Sequence, residues 1–587
     1  MCGILGTVAR EGIDRNLFET QLQGLEHRGP DDYGIFIADN VALGHTRLSI
    51  LDLSPLGHQP MLREEDRYII VYNGEVYNFE VLKAQLESEG YQFKSHTDTE
   101  VILYGFIAYG EKIVEKLNGM FAFSIFDRQA GRLFLARDRS GMKPLYYVND
   151  GSIFAFASEI KALKQYALGL SMEAKILFLL LGSVPEPWTI YKNIQAFPAG
   201  SYAYYDLHKG LSIKEYSSYC YAPKLIKPYT TMVEEVRELL QKSVQRHLIS
   251  DAPIGTFLSG GLDSSAITAI AAMHKSELET LSLVFHEKKY SEEYYQDLVA
   301  KRYGTKHTKY LIDEALFLTV IDDFMGAIDQ PTIDGINTFF VSKAAREIGL
   351  KTVLSGVGGD EIFYGYPSFS NASTLQRLKK LPAFLVQALK FSHKYKKLEL
   401  LQLENDLALY LPTRAVFAPR EIAQILGIEV VVIYEVIARL WEHYNSEEIE
   451  SLADKISFLE LKMYMKNQLL RDTDVFGMSN SLEIRVPFMD QALVDYVLRI
   501  PSQEKFDSRI NKIILADAMR SILPEEVIDR PKMGFTLPFE YWFRKNIDRF
   551  DLNPTVKTAF LNNKLHWSRV WTNMVLNRFE QNHQAEA

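Results

Sequence analysis

A cysteine stands at position 2, in the run MCGILGTVAR, and only one other, Cys220, occurs in 587 residues. Removal of Met1 is expected beside so small a residue, and it leaves a thiol and a free α-amine on Cys2. The amine titrates near ~8 and the thiol near ~8.5. The amine can therefore act, directly or through a water, as general base for its own side chain, as N-terminal threonine nucleophiles do. A second pattern with chemical content is Ser259-Gly260-Gly261-Leu262-Asp263-Ser264-Ser265. Its glycines let backbone amides approach an anion, and a helix N-terminus behind them adds unsatisfied N–H groups. The serines offer hydroxyl donors, and Asp263 can hold Mg²⁺ against phosphates. The lysine of a γ-phosphate transferase loop is missing, which suits a pyrophosphate that leaves as a unit in AMP-forming chemistry. A third run, Leu354-Ser355-Gly356-Val357-Gly358-Gly359-Asp360-Glu361, repeats glycines followed by carboxylates. Asp360 can share the metal with Asp263 if the two strand ends converge.

The elements that must position these groups change character along the chain. The first ~200 residues alternate in short apolar runs such as YIIVYNGEVYN, GMFAFSIFD, RLFLARD and PLYYV, separated by turn chemistry, which predicts antiparallel sheet. Helical patterns over Phe79–Glu89 and Asp98–Ala108 interrupt them, so sheets with helices on their outer faces are expected. Residues 216–231, with two prolines and no periodicity, read as a linker. From Met232 an amphipathic helix leads into alternating strands and helices, which predicts a parallel, doubly wound sheet whose ligands sit beyond the strand carboxyl ends. The α/β chain thus divides into 1–215, the linker 216–231, a second domain 232–545, and a polar tail 546–587, helical or flexible. Residues 370–470 are expected to be mostly helical.

Length alone calls for more than one domain. The 47% hydrophobic and 24% charged composition is that of a globular protein. Net charge −10, from 65 basic and 75 acidic residues, argues against a nucleic-acid surface. Two cysteines can form neither a disulfide framework nor a zinc cluster. The longest apolar run, Ile176–Leu181, is too short to span a bilayer, and Arg10 and Glu11 interrupt any secretory signal. A cytoplasmic location is expected.

Taken together, MCGILG, HRGPDDYG, HTRLSI, YNGEVYN, SHTDTEV and SGGLDSS resemble the glutamine-dependent asparagine synthetase family, in matching order from Cys2 to about Trp542. The resemblance implies a class II glutaminase of αββα N-terminal-nucleophile fold, followed by an ATP pyrophosphatase-type synthetase. Ammonia would pass between them through an internal tunnel, with ATP and Mg²⁺ required. It implies that Cys2 attacks the glutamine carboxamide, with Asn73 and the Gly74 backbone as oxyanion hole. Arg47 would bind the α-carboxylate, and Asp98, helped by Glu75, the α-ammonium. In the second domain it implies adenine contacts at Leu258 and Phe285, and pyrophosphate on Ser259, Gly260, Gly261, Asp263, Ser264 and Ser265. Ser355 and Gly356 would lie near the nucleotide, Mg²⁺ on Asp263 and Asp360, and a charge-stabilising role on Lys512. Glu483, Arg485 and Asp490 match a segment bordering the acceptor pocket. A homodimer is suggested by the resemblance alone.

One position departs from the family. Where well-studied members carry an acidic residue associated with the β-aspartyl adenylate, this chain has Val357, which can neither coordinate a metal nor accept a hydrogen bond. Aspartate is the default acceptor. The same machinery acting on another carboxylate, a sugar uronic acid or a biosynthetic intermediate, is the alternative that Val357 favours. A bare glutaminase is opposed by SGGLDSS and Lys512, and a β-lactam-forming cyclase by Cys2.

Overall fold

The computed structural model describes residues 2–38, 40–381, 393–506, 512–530, 538–550 and 552–586. Two six-stranded antiparallel sheets build the N-terminal half. The first runs β10 (Ile194–Ala196), β8 (Tyr146–Asn149), β9 (Ile153–Ala157), β1 (Cys2–Ala9), β3 (Val41–Arg47), β2 (Asp32–Ala38). The second runs β12 (Gly210–Glu215), β11 (Ser201–Asp206), β7 (Arg132–Arg137), β6 (Gly119–Asp127), β5 (Tyr68–Val76), β4 (Met61–Arg63). Period-two alternation decides what each strand buries. Ile69, Val71 and Ala122 join Ile4, Val8, Val41 and Leu43 in the layer between the sheets. Their neighbours Ile70, Tyr72, Phe121 and Phe123 pack outward on helices Phe79–Ser88 and Asp98–Tyr109. On the far side, Phe18 and Leu22 of helix Arg15–Gln23 and the apolar helix Met172–Leu181 cover the first sheet. The order helix–sheet–sheet–helix follows, as the alternation predicted.

The second half carries a five-stranded parallel sheet: β15 (Lys306–Leu311), β14 (Glu279–Val284), β13 (Ile254–Phe257), β16 (Thr352–Leu354), β17 (Glu483–Arg485). The chain winds outward from β13 to β15, then returns to the other side of β13 with β16. The topological switch point therefore lies between β13 and β16, where a ligand crevice opens in doubly wound sheets. The two glycine-bearing loops of the sequence leave these two strands.

Several boundaries differ from expectation. The first helix of this half is Tyr229–His247, so it begins inside the segment read as linker. Pro228 stops the strand-rich chain and supplies a fixed φ immediately before the first turn. Residues after 546 are helical where described, with helices Pro554–Leu561 and Trp567–Glu586. Trp571 buries itself against Phe324, Phe539 and Phe543, so this segment belongs to the core of the second domain. Within the helical region before residue 470, Glu460–Leu470 is π-helical, a rare geometry that often marks functional sites. No helix among the described residues is long and apolar enough to cross a membrane.

Candidate active sites

Cys2 opens β1 and pairs in register with Arg47 at the end of β3. Strand pairing alone therefore places the thiol-bearing residue beside the cation. The Cys2 side is buried, and its backbone N–H donates to Asn73 Oδ1 at 2.9 Å. Asn73 belongs to β5 of the facing sheet and is fully buried. Among the described residues its Nδ2 has no partner, so a donor is left over beside Cys2. At Gly74, a Cβ would lie 2.1 Å from the Met120 carbonyl oxygen, so only glycine lets β5 and β6 approach there. Burial pushes the thiol pKa up, while the Leu48 amide and Arg47 pull it down.

Arg47 is held by carbonyls and not by acids. Its Nη1 donates to Ser54 O at 3.1 Å, and its Nη2 to Leu51 O at 3.2 Å and Asp52 O at 2.6 Å. A Cβ on Gly57 would come 1.9 Å from Nη2, so the turn 55–57 closes over the fork. This buried cation makes no ion pair among the described residues, which suits an incoming carboxylate. Asp98 begins helix Asp98–Tyr109 and accepts from the Tyr72 hydroxyl at 2.7 Å and the Val76 N–H at 2.8 Å. Burial nonetheless pushes it up to about 6.

Glu75 lies 3.4 Å from Arg485, whose Nε holds Glu483 at 2.6 Å. Burial and the Glu483 charge push Glu75 well above the carboxylate range. Two carboxyl groups thus share one buried guanidinium, with Asp98 adding a third acid nearby, and this acidic surrounding suits an ammonium. Glu483 and Arg485, expected to border the acceptor pocket, instead meet Glu75 of β5 at the end of the first domain that holds Cys2. Asp490 is also at the domain interface. It caps helix Gln491–Arg499, pairs with Arg246 at 2.8 Å and accepts from Asn118 at 3.3 Å. None of the three lines the cleft described below. Local sequence carries no sign of which domain a buried strand end faces.

Arg28, inside the run HRGPDDYG, shows no role from its local sequence. Fully buried, it donates to Cys2 O at 3.1 Å, Glu159 at 2.7 Å and Asp474 of the second domain at 2.7 Å. Lys143 reaches the same Asp474 at 3.4 Å. An acid-base cluster thus fastens Cys2 to helix Arg471–Met478.

At the switch point, the loops after β13 and β16 enclose a cavity of about 1530 Å³. Leu258, Ser259, Gly261, Asp263, Ser264, Ser355, Gly356, Val357, Asp360 and Lys512 all line it. The loops touch so closely that a Cβ on Gly356 would lie 2.7 Å from Ser264 N, and one on Gly359 2.7 Å from Asp263 Cγ. Ser259 and Ser264 hydroxyls meet at 2.9 Å. Lys512 joins the carboxylates: its ammonium bonds Asp263 and lies 2.7 Å from Asp360. Burial alone would favour the neutral amine, yet the two acids raise its pKa. Lys512 adopts φ 55° and ψ 46° at the head of helix Ile513–Met519. That left-handed conformation costs a non-glycine residue roughly 1–2 kcal/mol and is kept where a side chain must be aimed.

Three residues expected at the nucleotide, Phe285 at the adenine and Gly260 and Ser265 at the pyrophosphate, do not line the cavity. Phe285 is buried against Trp542 and does not line the cavity. Ser265 is wholly buried behind the loop. Gly260 is turned away, its carbonyl accepting from Arg530 at 2.8 Å. For Gly260 and Ser265 the helix turn is the reason, since alternate positions of a strand–loop–helix junction cannot all face one ligand; Phe285 follows β14 and packs on the C-terminal helices instead. The cavity also gathers residues that the sequence did not single out, including Tyr366, Arg414, Tyr464, Trp567 and Trp571. The last two stand four apart on one helix, a spacing visible in the sequence.

Comparison with known proteins agrees with this division. The asparagine synthase family model matches residues 235–584, and the glutamine amidotransferase domain model residues 1–217. The chain is 31% identical to asparagine synthetase [glutamine-hydrolyzing] 1 of Bacillus subtilis, over 94% of this chain and 89% of that protein. A putative asparagine synthetase 2 of Methanocaldococcus jannaschii is 39% identical over 66% and 79%, and asparagine synthetase B of Escherichia coli 27% over 91% and 82%. A glutamine phosphoribosylpyrophosphate amidotransferase structure from B. subtilis matches 60% of this chain and 81% of its own at 16% identity, with TM-score 0.29. A glutaminase-type first domain and a nucleotide-type second domain in one chain, with these matches across both, place the protein in the asparagine synthase family of glutamine-hydrolysing, ATP-dependent ligases.

Proposed function

We propose that the chain hydrolyses glutamine at Cys2 and uses the ammonia to amidate a carboxylate activated by ATP, aspartate being the acceptor that the relatives' names favour. The Cys2 thiol adds to the carboxamide carbon. Asn73 Nδ2 and the Gly74 N–H receive the oxyanion, with Arg47 and Asp98 fixing the substrate's two charges. Ammonia leaves, and water releases glutamate from the thioester. In the cleft, the acceptor carboxylate attacks the α-phosphorus and pyrophosphate departs over the Ser259–Ser264 loop. Ammonia then displaces AMP.

Mg²⁺ fits this donor set. Asp263 and Asp360 converge on one point with hard oxygen ligands, and among the described residues no cluster of three His, Cys, Asp or Glu stands ready to cage a metal. That matches a cation completed by substrate phosphates and water, which would neutralise phosphate charge. Lys512 would then turn from the acids toward the pyrophosphate.

The observation that carries this reading is the seam between the sites. Leu48, Ile50, Tyr77, Met120 and Met142 of the first domain share one core with Leu461, Met465, Leu470, Met478 and Val486 of the second. Neutral ammonia can cross such a seam while water and ions are disfavoured. The test is a pair of variants. Cys2→Ala should abolish glutamine-driven synthesis and keep ammonia-driven synthesis. Asp263→Asn should stop AMP and pyrophosphate formation while glutamine is still hydrolysed. Loss of both syntheses in Cys2→Ala sinks the two-site scheme.

A further inference from the structure

Arg485 ends β17, the edge strand of the parallel sheet, and it touches the surroundings of both sites. Its carbonyl accepts from the Ser355 N–H at 2.8 Å, and Ser355 opens the glycine loop that lines the cleft. Its guanidinium is wholly buried and reaches the first domain. Nη1 donates to the His247 and Ile249 carbonyls at 2.7 and 2.5 Å. The cation thus stands at the end of helix Tyr229–His247, where carbonyls without helical partners carry partial negative charge. Nε donates to Glu483 at 2.6 Å. These bonds tie the fork to the second domain and fix where Nη2 stands.

Among the described residues Nη2 is a buried donor with no hydrogen bond, and it faces Glu75 Oε1 of β5 at 3.4 Å. A charge-assisted N–H···O bond is about 2.7–2.9 Å long, so this pair stands about half an ångström open. A buried charged donor left unmade is unfavourable, which gives the gap a drive to close. Glu75 follows Asn73 and Gly74 on one strand, so whatever fixes its carboxylate acts within the glutamine site. Burial and Glu483 push Glu75 toward its neutral form. A direct bond from Nη2 favours the charged form, the one that attracts an ammonium. The two sides of the gap belong to different domains, and the far end of β17 answers to the nucleotide loops. A Cβ on Gly356 would lie 2.7 Å from Ser264 N, so the loops cannot move independently. A shift of Ser259–Ser264 around phosphate is passed to Ser355 and on to Arg485.

We propose that Arg485 is a positioning residue that couples the two sites: nucleotide in the cleft, acting through Ser355, brings Nη2 onto Glu75 and so tightens glutamine in the first domain. This rests on the two-site reading above and adds its regulation. Arg485 lines no part of the cleft and acts on glutamine through Glu75. Linkage makes the effect reciprocal, so glutamine tightens the nucleotide by the same factor.

Calorimetry on the full-length Cys2→Ala protein, which cannot turn glutamine over, tests it. Glutamine is titrated with Mg²⁺ alone and with Mg²⁺ and α,β-methylene-ATP, and the nucleotide is titrated with and without saturating glutamine. Each ligand should tighten the other by about fivefold or more, the lower end of ordinary coupling between sites. Adding Glu75→Gln, which keeps the side chain's shape and removes its charge, should bring the factor below about twofold, read from either titration. Arg485→Lys should do the same, because an ammonium has no fork to hold Glu483, the two carbonyls and Glu75 together. If Arg485→Lys fails to fold, Glu75→Gln decides. A parent that binds both ligands without coupling, or full coupling kept in Glu75→Gln, overturns the proposal and leaves the two-site reading standing. A parent that binds no glutamine under either condition removes the glutamine-site reading and the proposal with it.

Discussion

Replacing Arg28 by Met removes a fully buried cation that holds three elements at once. Its partners fare unequally. Glu159 keeps Lys161 at 2.6 Å and His27 at 3.0 Å, whereas Asp474 keeps Lys143 at 3.4 Å. Stranding one partner of a buried pair costs about 3–5 kcal/mol, and here the cost falls mainly on Asp474. At about 2–4 °C per kcal/mol for domains of this size, the first calorimetric transition should drop by about 6–20 °C. Adding Asp474→Leu removes the stranded charge and replaces it with apolar volume. The double variant should therefore melt above Arg28→Met, with a coupling of about 1.5 kcal/mol or more between contacting sites. Glutamine hydrolysis should fall in both, because the Cys2 carbonyl loses its donor in both, while ammonia-driven synthesis suffers less. A double variant that melts no higher than Arg28→Met would refute the charge-stranding account. Equal loss of both activities would refute the role at Cys2.

Two further outcomes concern the glutamine site. Asn73→Ala should lower glutaminase kcat by about 10²–10³, the usual effect of deleting an oxyanion donor. A change below threefold in single-turnover assays would exclude Nδ2 from the oxyanion hole. Asp98 sits at about 6 in the folded protein against 3.8 ordinarily. The carboxylate form, which the proposed mechanism needs to receive the ammonium, therefore accumulates only above about pH 6. Its contribution to stability has the opposite sign: it favours the fold at low pH and is lost as pH rises through about 6. Glutamine KM should rise about tenfold between pH 7 and pH 5 by this titration, and flat KM over that range in steady-state assays would contradict it.

The chemistry of this protein is written in short runs whose local physics is self-contained. An N-terminal cysteine brings its own base, glycines before a helix make an anion cradle, and period-two alternation makes sheets. Those runs singled out Cys2 and the Ser259–Ser264 and Ser355–Asp360 loops without any knowledge of the fold, while Asn73, Arg47 and Asp98 were pointed to only by the resemblance of their motifs to a family. The loops converge because they leave adjacent strands at a topological switch, a consequence of winding order that alternation of strands and helices already implied.

What the sequence could not decide is which distant side chains meet. Arg28 and Asp474 are 446 residues apart, and their contact arises only when the two domains dock. Glu483 and Arg485 sit on an edge strand whose backbone serves the synthetase, with Arg485 O accepting from Ser355 N at 2.8 Å, while their side chains reach the glutaminase. Trp567 and Trp571 look like part of a polar tail until the last helix folds back along the cleft. Local patterns fix what each segment is, since backbone hydrogen bonding and periodic burial act over a few residues. Tertiary packing alone determines whose charges and rings share one cavity, because buried contacts form between surfaces that no local pattern relates.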